Sequence, residues 1–99
     1  MSMNLVPGTQ AITTTDAVVG VSGKPVRVYS VHMVSDGTAG ILILRNGTST
    51  GGTSYLQIDG VISKGATLDF AEGIRFPDGC FMDADAHCIS GVISFSQEF

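Results

Sequence analysis

The chain of 99 residues has no Trp, and only 14% of its residues are charged. Its five cations, Lys24, Arg27, Arg45, Lys64 and Arg75, stand apart from one another, and the net charge is −4. Nucleic-acid binding needs clustered cations to neutralise phosphates, and a polybasic membrane anchor needs a similar cluster, so neither partner is expected. Long apolar runs are missing too. The longest uninterrupted aliphatic run, Ile41 to Leu44, is far too short to span a bilayer. No basic segment followed by a long apolar run opens the sequence, so no secretory signal is expected. The chain therefore reads as made and kept in a cytoplasm unless a larger particle carries it out. Two cysteines, Cys80 and Cys88, are too few for a disulfide scaffold.

What is present is apolar and glycine-rich. Apolar residues reach 43%, which with so few charges argues against disorder. The length suits one domain, but a chain of this size buries only roughly two thirds of its unfolded surface. A surface so poor in charge suits a subunit in an assembly.

The 13 glycines punctuate the chain. Residues 1–8 carry no charge and no periodicity, and they read as an extended arm ending at the Pro7-Gly8 break. Met1, Met3, Leu5, Val6 and Pro7 are its candidate partner-binding residues. Either the arm frays, or its apolar side chains lie on a neighbouring subunit. On this reading, deleting residues 1–8 weakens attachment and leaves the fold intact.

Residues 9–99 form the folded domain. Thr9 to Thr15 suits an edge strand, and Val18 to Val21 is a second short strand closed by a turn at Ser22-Gly23-Lys24-Pro25. Val26 to Ser35 alternates, with Val26, Val28, Ser30, His32 and Val34 on one face and Arg27, Tyr29, Val31 and Met33 on the other. Asp36-Gly37-Thr38 is a turn. Ile41 to Leu44 reads as a strand buried on both faces. Arg45 to Ser54 is a Gly, Ser and Thr loop holding the strong turn pair Asn46-Gly47.

Tyr55 to Ile58, Val61-Ile62 and Thr67 to Phe70 are further short strands, with Leu68 and Phe70 facing in. Turns are expected at Asp59-Gly60, Lys64-Gly65 and Pro77-Asp78-Gly79. Cys80 and Met82 then alternate with Phe81 and Asp83. In the last run Ile89, Gly91, Ile93 and Phe95 share one face, and Cys88, Ser90, Val92, Ser94 and Ser96 the other. No window has a helical repeat. Short strands at this spacing predict an all-β protein: a single antiparallel β-sandwich, jelly-roll-like, with about eight short strands and Greek-key links.

Reactive side chains gather only at Cys80, Asp83, Asp85, His87 and Cys88. A turn centred on Ala84 would set the two sulfurs across one ladder, which permits a metal, a disulfide or two packed thiols. Packed thiols are favoured because the spacing is not that of zinc knuckles. Asp83-Ala84-Asp85 lacks the glycine and glutamate of a calcium loop. His32 has no nucleophile or carboxylate partner by motif, and no nucleophile elbow surrounds the C-terminal serines. Tyr29 and Tyr55 could stack on a sugar or a base, but core packing is the better reading. No catalytic, metal or cofactor residue is assigned.

The run from Gly73 to Asp83 (Gly-Ile-Arg-Phe-Pro-Asp-Gly-Cys-Phe-Met-Asp), followed by a Ser- and Val-containing C-terminal strand, resembles the C-terminal half of small tailed-bacteriophage virion proteins. The pairing of Val26–Ser35 with Ile41–Asn46 before a Gly/Thr loop is similar to them as well. The resemblance implies a β-sandwich capsid decoration (cement) protein without catalytic residues. Such a subunit is commonly a homotrimer seated outside the shell, bridging major capsid proteins. It implies a place in the virion, assembled in the host cytoplasm. A head–tail or tail component of the virion, and a carbohydrate-binding β-sandwich module, are the alternatives.

Overall fold

The computed structural model describes residues 5–36, 40–59 and 65–98. Among them are eight strands and no helix: β1 (Leu5–Ala11), β2 (Ala17–Val19), β3 (Val26–Ser35), β4 (Ile41–Asn46), β5 (Thr53–Asp59), β6 (Gly65–Phe76), β7 (Cys80–Ala84) and β8 (Cys88–Glu98). They form two antiparallel four-stranded sheets in the orders β1-β8-β3-β6 and β2-β7-β4-β5. Strand β1 pairs with β8, β2 with β7, β3 with β6 and β4 with β5. The chain is thus one long hairpin whose tip is the turn after Asn46, rolled so that its pairs fall alternately into two facing sheets. This is the jelly-roll sandwich that the strand spacing predicts.

The core lies between the sheets. Val26, Val28, Val31, Met33, Phe76, Ile93 and Phe95 meet Val19, Leu42, Leu44, Ile58, Cys80 and Met82. Each fully buried aliphatic or aromatic side chain here contributes about 1.5–3 kcal/mol relative to an exposed one.

Strand β3 departs from the simple alternation. Val28 stands opposite Phe95 and Ser30 opposite Ser94, so Tyr29 is one extra residue against β8. Against β6 the same step spans Ile74 to Asp69, so four residues of β6, 70–73, bulge beside Tyr29. The bulge reverses the face of everything beyond it. Val26 and Val28 point inward before it, Val31, Met33 and Ser35 after it, and His32 is exposed. Strand β8 has its own extra residue, Ile89, between the Ser35–Cys88 and Val34–Ser90 pairs. Cys88 therefore shares the inner side with Ile93 and Phe95, and Ile89 is 48% exposed.

Other expectations are corrected in the same way. Strand β4 is buried on one face within the chain: Leu42 and Leu44 are inside, while Ile41 is 42% exposed. Leu68 lies opposite the buried Val31, as an inward residue should, but at the sheet margin it stays partly exposed. Residues 67–70 and 73–76 belong to one long strand, β6, rather than to two. Residues 5–8 of the expected arm form the first half of β1. Met1 and Met3, the turn at 37–38, Gly60, the strand at Val61-Ile62 and Lys64 lie outside the described residues.

The turns follow their sequences. Gly79 N–H donates to the Phe76 carbonyl at 3.3 Å, with Pro77 and Asp78 between and Gly79 at φ 102°. This turn carries the chain from one sheet to the other. Asn46 fixes it from the hairpin tip, with Nδ2 on Asp78 Oδ2 and Oδ1 on the Asp78 N–H, each at 2.9 Å.

Candidate interaction surfaces

Of the reactive side chains, Asp85, His87 and Cys88 stay together, whereas Cys80 does not join them. Strands β7 and β8 lie in opposite sheets, so Cys80 and Cys88 do not face each other across a ladder, as a symmetric turn at Ala84 would require. Both thiols are free and buried. Burial pushes Cys80 up to about 12. It also raises Cys88 to about 11, with the charge of Asp85 adding to the effect. A thiol held so high is a poor nucleophile. Among the described residues, no group of three or more His, Cys, Asp or Glu side chains is placed to hold a metal ion.

Asp85 is a turn acceptor. Its carboxylate takes the N–H groups of Ile41 at 3.0 Å and His87 at 2.8 Å, and Cys88 donates its S–H to the Ile41 carbonyl at 3.3 Å. His87 Nδ1 lies 3.1 Å from Asp36 Oδ1. These bonds tie the β3–β4 and β7–β8 connections together at one end of the sandwich. Bonds of this kind between a carboxylate and nearby backbone N–H groups stabilise turns. Asp83 pairs with Arg45 at 3.0 Å on the outside of the second sheet. His32 is exposed on the outside of the first sheet, 2.6 Å from Thr67 Oγ1.

The edges of the sandwich are more informative. One side is formed by β1 and β2, the opposite side by β5 and β6. Val6 is 50% exposed on the first side. Val21 is also exposed there, and its N–H donates to Gln97 Oε1 at 2.6 Å, the residue opposite Val6. On the other side, exposed Leu68 accompanies Tyr55, whose ring lies 5.2 Å from that of the buried Phe76. Exposed Ile41 and Ile89 mark one end. Large exposed apolar residues thus collect along both margins, where strands also present unpaired backbone groups.

Strand β1 is a guarded edge. Ile12 N–H donates to the Gly91 carbonyl at 3.0 Å. Counting back by twos along the continuous register, Gln10, Gly8 and Val6 aim their N–H groups at β8. Pro7 then turns its nitrogen, which has no hydrogen, to the open side.

The outer face of the first sheet is nearly free of charge over two rows. One runs Ala11, Val92, His32, Thr67, and the next Thr9, Ser94, Ser30, Asp69. Sequence reasoning missed this face because the bulge at Tyr29 reassigns half of β3. The change of apolar phase between Val28 and Val31 was the available signal.

No family model and no curated protein matches the chain. A solved structure of Bacillus endospore appendages, described as a novel family of disulfide-linked pili, is similar in fold. The similarity covers 100% of this chain and 90% of the appendage chain, with a TM-score of 0.53 and 14% sequence identity. At that identity the likeness shows the fold alone: an all-β sandwich of two four-stranded sheets.

Proposed function

We propose that this chain is a non-enzymatic structural subunit that works by packing against neighbouring proteins. The observation that carries the reading is the placement of Val6 and Val21 on one margin of the sandwich and Tyr55 and Leu68 on the opposite one. Two different apolar margins favour head-to-tail contacts between copies, which close into a ring or run on as a filament. The ring form agrees with the resemblance to phage decoration proteins. In that form the subunit is a capsid decoration (cement) protein, a homotrimer on the outside of a tailed-phage shell. It bridges major capsid proteins through interfaces of about 1,600 Å² each, and resists expansion by contact area rather than chemistry.

The filament form is the second reading, favoured by the similarity in fold to a pilus subunit. That appendage is described as disulfide-linked. Here both thiols are buried, so contacts between copies of this chain rest on non-covalent packing.

Sedimentation of the purified protein, with electron microscopy of the same sample, tests the proposal. Closed trimers, or association with phage shells in proportion to the shell protein, support the decoration reading. Open fibres support the filament. Val21→Lys and Leu68→Lys, on opposite margins, each reduce association while leaving the circular dichroism spectrum unchanged. A lone monomer at every concentration that also fails to join shells would refute both forms.

A further inference from the structure

We infer that the chain carries a binding groove for a neutral saccharide on the outer face of its first sheet, beside Tyr29. A shallow depression of ≈ 490 Å³ is bounded by Pro7 and Thr9 of β1, Tyr29 of β3 and Ser94 and Ser96 of β8. It is open to solvent, so it would receive one face of a ligand rather than enclose it. No ionisable acid or base lines it. Arg27 stands opposite Ser96 at the border but donates to the Glu72 carbonyl at 3.0 Å, so the lining itself offers no counter-charge and suits an uncharged ligand.

The lining is amphipathic in a particular way. Register places Thr9 beside Ser94 and Pro7 beside Ser96. Cross-strand neighbours on one face stand about 5 Å apart and next-but-one residues about 7 Å. The result is a largely apolar floor on which the Thr9 and Ser94 hydroxyls stand side by side. Tyr29 stands at its border, its hydroxyl 3.3 Å from Ser96 Oγ. A pyranose ring has the matching character: a C–H face for the Tyr29 ring and Pro7, and hydroxyls that exchange hydrogen bonds with Thr9 and Ser94, while the buried Ser96 holds the Tyr29 hydroxyl in place.

The position of Tyr29 is built in. It is the extra residue of β3, and the facing bulge of β6 makes room for it. Within that bulge Gly73 has φ 76°, and a Cβ there would lie 3.0 Å from Tyr29 Cε1 and 2.9 Å from Arg27 Cδ. Arg27 holds the bulge from below, with Nη1 on the Glu72 carbonyl at 3.0 Å. Bulges commonly re-aim a side chain beside a site, and here two of them face each other at Tyr29. A polyproline peptide is the competing neutral ligand, but grooves for it are lined by several aromatic residues, and this one has a single tyrosine beside the hydroxyls of Thr9 and Ser94. The inference does not depend on the assembly reading, although many copies on one particle would turn a weak site into strong attachment.

The test is titration of the isotopically labelled full chain with neutral gluco-, manno-, galacto- and N-acetylglucosamine oligosaccharides, followed by backbone amide shifts. A proline-rich peptide serves as the comparison. Shifts confined to Thr9, Tyr29, Ser94 and Ser96 with a Kd of about 1 mM are expected. Ser94→Asp and Thr9→Lys, at positions that tolerate polar side chains, weaken binding at least about tenfold while the remaining amides keep their positions. Tyr29→Phe, which keeps the ring, retains binding within about threefold. The inference fails if no oligosaccharide shifts these amides, if binding survives both groove variants, or if only the peptide binds.

Discussion

Arg75 and Glu98 meet fork to fork, Nε to Oε2 at 2.8 Å and Nη2 to Oε1 at 3.2 Å, joining β6 to the end of β8 across the intervening β3. The hydrogen bonds from Arg75 hold the Glu98 carboxyl below its ordinary value of 4.5, against a desolvation that acts the other way. A carboxyl lowered in the folded state stabilises the fold fully above its unfolded value, and that contribution is lost as pH falls through the folded one. Urea midpoints followed from neutral pH into acid should therefore decline below about pH 4.5. Glu98→Gln should lower the neutral midpoint and flatten the decline, so that the two proteins converge in acid. Curves that stay parallel would show that this pair does not set the acid limb.

Gly91 sits at φ 141°, and a Cβ there would run into the His32 carbonyl and lie 3.0 Å from Met33 Cα. Strand β3 cannot retreat, because β6 holds its other side. Gly91→Ala should cost about 2–3 kcal/mol or more, combining backbone strain with the clash. Gly23 offers the control: its φ is 77°, but nothing lies within 4 Å of a Cβ. Gly23→Ala should cost only the left-handed backbone penalty of about 1–2 kcal/mol. Chemical denaturation of both variants checks the order, and equal losses would contradict it.

The thiols of Cys80 and Cys88 should be silent in the folded protein. Both are fully buried, and burial keeps both protonated well above neutral pH. Exposure to a thiol-reactive chromogen at about pH 8 should give a rate set by unfolding and opening rather than by the reagent. Denaturant should release two equivalents at once. Non-reducing electrophoresis of any assembly should show single chains. Rapid labelling in the native state would mean that the sandwich opens far more easily than its core suggests.

The fold was legible because local signals agreed. Pro77-Asp78-Gly79 marks its turn, Val26 to Ser35 gives the bounds of β3, and Cys80 and Met82 alternate cleanly with Phe81 and Asp83. The errors of face share one cause. Alternation assumes an unbroken ladder, and Tyr29 and Ile89 each break it by one residue. Faces read across those points are inverted, which put His32 with Val28 and separated Cys88 from Ile93. The four-residue bulge of β6 made one strand look like two. The expected facing of Cys80 and Cys88 failed for another reason: adjacency in sequence does not say that a turn stays within its sheet. The apolar margins were invisible for the same reason, since Val6 and Val21 come together only through Gln97, at the far end of the chain.

The N-terminus separates two roles that one deletion would confuse. Removal of residues 1–8 takes away the first half of β1, with its pairing from Leu5 to Gly8 against Phe95 to Glu98. It also uncovers Phe95, against which β1 lies so closely that a Cβ on Gly8 would sit 2.8 Å from Cζ. The hydrogen-bonded pairs at Val6 and Gly8 alone would cost about 2–4 kcal/mol at about 1 kcal/mol per bond. The shorter deletion, residues 1–4, leaves every described strand intact. It should keep the urea midpoint unchanged, whereas deletion of 1–8 should lower it clearly. If residues 1–4 reach a neighbouring subunit, the short deletion should still weaken assembly by sedimentation. Unchanged assembly after that deletion would confine Met1 and Met3 to a terminus without a partner, and would leave association to the two margins.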